Sequence, residues 1–297
     1  MPLPIIQYVS STYCDKPTDD QLMAKLLLNL TDFINFAAYI HHKVLVDGQS
    51  DMVDLVVLAV QLEARLTAWE HSVMGKRTWR FECKVATLSL DACYKGRFHL
   101  YSDVQTARIW SYYRWARILL SEILLNFIKQ CPQSVATGLA RLKIGNGGAA
   151  MQSSKPKTEG TDTTNPTETF RLEALRTIRR CAEETFINNP TFWRHPCIKL
   201  SEHAEVASPL PVYGVNGGMG VAGLVPTLFH LQVAACAPGI LREDLQWALS
   251  VIDTVWGYLG LGQALSLANK MRAHDERLQM QSRGLASTDD SWPSHGK

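Results

Sequence analysis

The longest uninterrupted helical pattern in this 297-residue chain runs from Ser102 to Cys131 and contains neither proline nor glycine. Polar side chains recur in its first half, whereas after Ala116 apolar residues fall on nearly every face. A helix that is apolar all round belongs in the interior of a protein. Ser102 and Asp103 are N-cap candidates, and Pro132 stands just beyond the end. The pattern therefore predicts a long, buried central helix that other helices surround.

Apolar residues at helical spacing predict further helices on both sides of this segment. The first starts at the capping box Thr18–Gln21 and runs to about Val46, and the second runs from Ser50 to about Gly75. Because only a short turn joins them, they should form an antiparallel pair. Later helices are predicted over 166–188, with Pro166 at the first helical position, over 221–237, and over 241–278 with an interruption around 257–262.

The remaining stretches lack a clear helical period. Between Gly75 and Tyr101 we expect short helical turns rather than a sheet. Residues 1–17 should be an extended lead-in and residues 284–297 a mobile tail. The segment 145–165 is almost free of large apolar groups and cannot bury enough surface to offset its ordering entropy, so it is predicted to be disordered. Residues 188–223 are rich in proline and glycine and predict a loop. The chain is thus predicted to be a single all-α domain over 18–283.

Composition excludes several classes of protein. The formal net charge of +2 predicts no strong field over the molecule, and so no general attraction to nucleic acid or acidic membranes. The start of the chain lacks the basic and apolar regions of a signal peptide. The most apolar segment, Gly223–Leu241, is interrupted by polar residues and prolines, which makes it a poor membrane span.

The seven cysteines are scattered, and no pair has CxxC spacing. Neither a disulfide framework nor a zinc cluster is indicated, so we expect reduced thiols in the cytosol or nucleus. No metal, cofactor or catalytic residue is expected. The cysteines are Cys14, Cys83, Cys93, Cys131, Cys181, Cys197 and Cys236.

Two segments carry a resemblance to a known family. The first is Tyr101 followed by RIWSYYRWARILLSEILL, with Trp110, Tyr113, Arg114 and Arg117. The second is LVPTLFHLQVAACAPG, with its apolar-Pro-Leu start. In this order they resemble the regulatory, fungal-specific transcription factor domain found C-terminal to the DNA-binding module of fungal zinc binuclear-cluster (Zn2Cys6) transcription factors. The resemblance covers roughly residues 18–275 and implies an all-α fold and a nuclear role in transcription regulation.

Two departures from that family stand out. Ser111 occupies the position after the tryptophan where asparagine is expected, which removes one side-chain hydrogen bond. The six closely spaced cysteines of the zinc-cluster DNA reader have no counterpart here, because the seven thiols lie far apart in sequence. The chain is therefore expected to be either the regulatory part of a longer factor or a stand-alone relative without a DNA reader, and no direct nucleic acid contact is expected.

The candidate site lies on the central helix. Arg114 and Arg117 are one turn apart and share a face. If that face is buried, both guanidinium groups need carboxylate partners or a bound anion. A structural ion pair with Glu63, Glu70 or Asp103 is favoured over an effector pocket. The neighbouring rings leave the same choice open, between core filling and an aromatic-walled cavity for a small effector. These rings are Trp110, Tyr112, Tyr113 and Trp115.

Three other patterns are weaker. Gly218–Gly223 matches the GxGxxG fingerprint and precedes a helix, but no strand pattern surrounds it, so a flexible loop is favoured over nucleotide binding. Arg176, Arg179 and Arg180 are better explained as a solvated helix face, paired with Glu173, Glu183 and Glu184, than as phosphate contacts. His195, Cys197 and His203 have a loose metal-site character, yet their spacing fits no zinc pattern.

The favoured hypothesis is a transcription-regulatory module without catalysis. Its expected partners are the transcription machinery or coactivator proteins, a second copy of the chain or a small-molecule effector, and no membrane is involved. The alternative is a metabolite- or nucleotide-binding helical protein or enzyme that uses the Gly218–Gly223 loop. A helical scaffold without a ligand is the third reading.

Overall fold

The computed structural model describes residues 18–46, 52–85, 89–146, 165–199 and 220–282. Within those ranges the protein is all-α, with eight helices and one small sheet. The elements, in chain order, are α1 Thr18–Val46, α2 Met52–Val73, β1 Phe81–Val85, β2 Arg97–Tyr101, α3 Val104–Gln130, α4 Pro132–Asn146, α5 Pro166–Phe192, α6 Gly220–Cys236, α7 Arg242–Leu259 and α8 Gly262–Ser282.

Helix α3 is the predicted central helix. It is capped by Asp103, whose carboxylate accepts a hydrogen bond from the Thr106 backbone N–H at 2.8 Å. Two buried apolar clusters flank it. One cluster joins α3 to α1 and α2, and the other joins it to α5, α6, α7 and α8. Trp115 and Leu119 pack against both clusters. Helix α3 thus lies between the two halves of the core.

The first two helices form the predicted pair. Helix α1 spans Thr18–Val46, with two acidic residues in its first turn. The indole Nε1 of Trp69 on α2 donates to the Leu22 carbonyl of α1 at 2.8 Å, and Arg65 pairs with Asp32 at 2.7 Å. Both contacts join late residues of α2 to earlier residues of α1, as an antiparallel arrangement requires.

The expectation of no sheet between Gly75 and Tyr101 was wrong. Strands β1 and β2 form an antiparallel pair in which Phe81 lies opposite Tyr101. Two short 3-10 turns, Arg77–Trp79 and Tyr94–Gly96, accompany the strands, so the predicted helical turns are present. A two-stranded sheet is marginal by itself. Here the buried β2 side chains Phe98, His99 and Tyr101 anchor it in the protein interior.

Two helical segments escaped prediction. Helix α4 begins at Pro132, although the sequence there has few large apolar residues. Helix α5 continues through Pro190 to Phe192, beyond the predicted end near Asn188. Proline removes one backbone donor from the helix. This loss is small because α5 ends two residues later. The end is held by the Trp193 N–H, which bonds to the Asn189 carbonyl at 3.3 Å, and by Thr191, which donates to the His99 carbonyl at 3.0 Å.

The predicted break near 257–262 is confirmed. Gly260 ends α7 in the left-handed region at φ 66°, and α8 begins at Gly262. The predicted lead-in 1–17, most of the loop 145–165 and the tail 284–297 lie outside the described residues. Among the described helices, none has both the length and the hydropathy needed to cross a bilayer.

Candidate functional site

The candidate residues of the central helix meet in one buried polar network. Arg114 has no exposed surface, and Arg117 is 3% exposed. Their neighbours come from four elements: Glu63 and Glu70 from α2, Tyr101 from β2, Tyr113 from α3, and Arg180 and Glu184 from α5. Three guanidinium groups therefore face three carboxyl groups. This balance is what the burial of charge requires, because an unpaired buried ion is costly.

Arg114 is held from two sides. Its Nε donates to Glu184 Oε2 at 2.8 Å, and its Nη1 donates to the Tyr101 hydroxyl at 2.8 Å. Its guanidinium carbon lies 5.0 Å from the centroid of the Phe81 ring and 5.5 Å from that of the Trp110 ring. Such placement adds a cation–π contribution. Arg114 thus joins α5 and the hairpin to the central helix.

The Tyr101 hydroxyl continues the network to His99. The distance from His99 Nδ1 to the hydroxyl oxygen is 3.2 Å. Burial, followed by the positive charges of Arg114 and Arg97, lowers the pKa of His99 to about 2. The ring is therefore neutral, and its Nδ1 can accept the Tyr101 proton. The Tyr101 hydroxyl thus accepts from Arg114 and can donate to His99.

Arg117 lies between Glu63 and Glu70, two of the acids of α2. Its Nη2 donates to Glu63, and its Nη1 donates to the Tyr113 hydroxyl at 2.6 Å and lies 3.8 Å from Glu70 Oε2. Arg180 also binds Glu70. Glu63 and Glu70 are two of the three acids proposed from the sequence as partners. The third, Asp103, caps the helix instead.

The two acids respond to burial differently. Burial raises the pKa of Glu63 more than the nearby Arg117 and Arg180 lower it. Burial also opposes ionisation of Glu70. Hydrogen bonds from Arg180 and Tyr113, together with the charges of Arg180 and Arg117, nevertheless bring the pKa of Glu70 below its usual value. Glu70 is therefore the firmly ionised carboxylate of the network.

The aromatic rings fill the core around these charges. Trp69 lies against Trp79, Trp110 and Tyr113, with ring centroids 6.0, 5.4 and 5.1 Å apart respectively. The indole Nε1 of Trp110 donates to the Trp79 carbonyl at 3.0 Å. Trp110 and Tyr113 are thus packed against neighbouring side chains, as core filling requires.

A small pocket opens beside α3, next to the network. It is lined by Arg108, Ser111, Tyr112, Phe192, Pro226, Thr227 and His230. The space open to a water-sized molecule is about 20 Å³, little more than one water needs. The four sequence-predicted site residues are not among its lining residues. Ser111 does line the pocket, and its hydroxyl oxygen accepts a hydrogen bond from the Asn188 side-chain amide at 2.9 Å.

A larger cavity of about 440 Å³ lies at the other end of α3, which sequence reasoning did not single out. Glu122, Cys236, His274 and Arg277 are among its lining residues. Burial raises the pKa of Glu122 to about 7. The signal in the sequence was a lone glutamate within the most apolar part of α3.

The weaker sequence candidates are dispersed. Arg176 pairs with Glu173, Arg179 donates to the Gly239 carbonyl at 3.1 Å, and Arg180 turns inward to Glu70. Of the Gly218–Gly223 motif, Gly220–Gly223 open α6, and the rest lies outside the described residues. The sheet in the described part of the chain is antiparallel, whereas a dinucleotide fold needs parallel strands.

The loose metal-site candidates do not form a metal site among the described residues. His203 lies outside the described residues. Among the residues that the structure describes, no group of three or more histidine, cysteine or acidic side chains is arranged to hold a metal ion. His195 Nδ1 and Cys197 Sγ lie 2.9 Å apart.

Comparisons with known proteins do not assign this chain to a family. No family model, no curated protein and no solved structure matches this chain.

Proposed function

We propose that this chain is a transcription-regulatory module that acts in the nucleus through contacts with proteins or a small effector and does not itself read DNA. The resemblance to the regulatory domain of fungal zinc-cluster factors motivates this proposal. The all-α fold agrees with that resemblance.

One observation carries the proposal furthest. The two sequence segments that bear the resemblance lie far apart in the chain, yet they meet at one pocket. Ser111 and Tyr112 of the first segment and Pro226 and Thr227 of the second line the same small pocket beside α3. The Tyr112 ring also contacts the His230 ring, with centroids 5.3 Å apart. The two segments that carry the resemblance thus contact each other in the fold, which supports the proposal.

The proposed mechanism is a shift in helix packing. Helix α3 contacts both buried clusters, so a partner that binds one arrangement of its neighbours better than another would bias the whole domain. The cavity at Glu122 lies against α3, where a small effector would act directly. No bond-making chemistry is part of this mechanism.

A reporter assay tests the proposal. The full chain is fused to a heterologous DNA-binding domain and expressed in a fungal host at a level matched to the DNA-binding domain alone. We expect reporter expression to rise or fall at least several-fold. Arg176→Ala, which alters an exposed ion pair, should behave as the wild-type chain, whereas Arg114→Leu, which breaks the buried network, should abolish the effect.

An unchanged reporter at matched expression across growth conditions would contradict the proposal. So would exclusion of a fluorescently tagged chain from the nucleus. A rise in melting temperature of the purified chain with NAD or ATP would instead favour the nucleotide-binding alternative.

A further inference from the structure

A tight turn follows α5 and presents a cysteine to solvent. The Ile198 N–H bonds to the His195 carbonyl at 2.9 Å, which closes a four-residue turn with Pro196 at its second position. Proline favours this position because its fixed φ suits the turn. Arg194 fastens the far end by donating to the Ile198 carbonyl at 2.7 Å. Cys197, at the third position, is exposed.

The imidazole of His195 lies directly on this thiol. His195 Nδ1 is 2.9 Å from Cys197 Sγ and also accepts the Cys197 backbone N–H at 3.3 Å. Because Nδ1 accepts a backbone proton, the neutral ring carries its hydrogen on Nε2. The ring is steadied by an edge-on contact with Trp193, at a centroid distance of 5.3 Å.

His195 is a neutral ring whose Nδ1 is able to accept a proton. Burial lowers the pKa of His195, and the Asp91 carboxylate only partly opposes that effect. The ring is therefore neutral at physiological pH. A neutral Nδ1 at hydrogen-bond distance from a thiol can take its proton, and the thiolate is the nucleophilic form of cysteine.

A second cysteine lies on the inner side of the same turn. Cys93 is fully buried and packs with Ala92 and Ile198, the residue that follows Cys197. Burial, and then the charge of the neighbouring Cys197, raise the pKa of Cys93 to about 12. Cys93 is thus a protonated, buried thiol that packs with the residue next to the exposed Cys197.

We propose that Cys197 is a peroxide-reactive modification site, with His195 as its base and Cys93 as the resolving thiol. The Cys197 sulfur attacks one oxygen of hydrogen peroxide, an S–O bond forms and the O–O bond breaks. The thiol proton passes through His195 Nδ1 to the departing hydroxide, which leaves as water. Cys197 is oxidised to sulfenic acid, and the peroxide is reduced.

The second step joins the two cysteines. The Cys93 sulfur attacks the Cys197 sulfur, an S–S bond forms and the S–O bond breaks. The Cys93 proton and the departing hydroxide form a second water. Overall, two thiols and one hydrogen peroxide give one disulfide and two waters. The product ties the turn before β2 to the turn that follows α5. This site is independent of the proposed regulatory function.

Mass spectrometry of the reduced full chain tests this proposal. The chain is treated with equimolar hydrogen peroxide, and we expect its intact mass to fall by two hydrogens. The remaining thiols are then alkylated and the chain is digested with trypsin, which should yield a peptide pair that links Cys93 to Cys197. In the untreated chain, Cys197 should react with a limiting alkylating agent about tenfold or more faster than Cys83, the exposed cysteine on β1.

Two variants separate the roles. His195→Gln should slow the reaction of Cys197 about tenfold or more while Cys83 is unchanged. Cys93→Ser should leave a Cys197 sulfenic acid that dimedone traps. The proposal is overturned if Cys197 reacts no faster than Cys83, if His195→Gln has no effect, or if the disulfide joins Cys197 to any other cysteine. The wild-type peptide map decides the last point even if Cys93→Ser does not fold.

Discussion

The hydroxyl of Tyr113 donates to Glu70 Oε2 at 2.7 Å and accepts from Arg117 Nη1 at 2.6 Å. One oxygen thus links a carboxylate of α2 to a guanidinium of α3. Tyr113→Phe removes this link and leaves part of each charge without a hydrogen bond in the core. We expect a loss of about 1–3 kcal/mol in unfolding free energy, measured by urea denaturation.

Tyr112→Phe is the matched control, because Tyr112 is its chain neighbour and is exposed. That change should alter the unfolding free energy by less than about 0.5 kcal/mol. Equal effects of the two substitutions would mean that the Tyr113 hydroxyl contributes nothing special to the network.

Arg114→Leu should be among the most destabilising changes on α3. The substitution removes the guanidinium that donates hydrogen bonds to both the Glu184 carboxylate and the Tyr101 hydroxyl. Removing one partner of a buried ion pair costs about 3–5 kcal/mol. Thermal or urea unfolding, compared with wild type, measures the loss.

Arg176→Ala provides the surface comparison, since Arg176 and Glu173 form an exposed pair one turn apart on α5. Exposed pairs are worth about 0–1 kcal/mol. If Arg114→Leu costs no more than Arg176→Ala, the buried network does not hold the helices together.

Gly138 sets how closely α4 approaches α2. A Cβ at this position would lie 3.0 Å from Val56 Cγ1, closer than ordinary packing allows. Gly138→Ala gains about 1 kcal/mol in helix propensity but overpacks the interface by about 1–3 kcal/mol. We therefore expect Gly138→Ala to lower the unfolding free energy. When Val56→Ala is combined with it, the total loss should be smaller than the sum of the losses from the two single substitutions.

Gly257 is the control glycine, because nothing lies within 4 Å of the position a Cβ would take there. Gly257→Ala on α7 should therefore stabilise the protein by up to about 1 kcal/mol. Strict additivity of Gly138→Ala and Val56→Ala in the urea series would rule out the steric account.

Glu122 should make stability depend on pH. Burial raises its pKa from 4.5 to about 7, so the folded protein retains a proton that the unfolded chain releases within that window. The unfolding free energy therefore falls as pH rises from about 4.5 to 7. Glu122→Gln should remove about 2 kcal/mol of that fall, measured by urea denaturation at pH 5 and pH 8.

The groups around Glu122 are those that line its cavity, including Cys236 of α6 and His274 and Arg277 of α8. Glu276→Gln, an exposed change on α8, is the control and should leave the pH dependence as in wild type. Parallel pH curves for Glu122→Gln and wild type would show that this carboxyl is not the titrating group.

Local signals made α1 and α3 predictable. The capping box at Thr18 and the carboxylate of Asp103 mark where helices begin, and the observed bounds agree with those marks. Helix α4 was missed because its stability comes from packing rather than from its own apolar pattern. Val135 is buried, Leu139 packs against the same cluster, and Gly138 permits close contact with α2.

The network was only half visible in the sequence. Helical spacing placed Arg114 and Arg117 on one face, and two nearby acids of α2 were named as partners. Helical spacing pairs Glu184 with Arg180 of its own helix, and these two groups do lie 3.7 Å apart. The same spacing cannot reveal Arg114 as a partner, because it shows only neighbours within a turn or two. The bond from Arg114 to Glu184 spans 70 residues of chain and depends on how α5 crosses α3.

The β1–β2 hairpin was also not predicted, because the contacts that stabilise it come from distant parts of the sequence. Phe81–Val85 is short and largely exposed beyond its first two residues, so its alternation is weak. What fixes the strands is the burial of the Tyr101 ring and the bond from Thr191 of α5 to the His99 carbonyl. Neither can be read from a single stretch of sequence.

The cluster of Trp69, Trp79 and Trp110 has a spectroscopic consequence. One indole comes from α2, one from the turn that leads into β1, and one from α3, and their transition dipoles lie close enough to couple as excitons. Circular dichroism should therefore contain a couplet that vanishes when the three segments part, even while the helices stay formed. The intensity of this couplet would therefore report directly on whether the core is assembled.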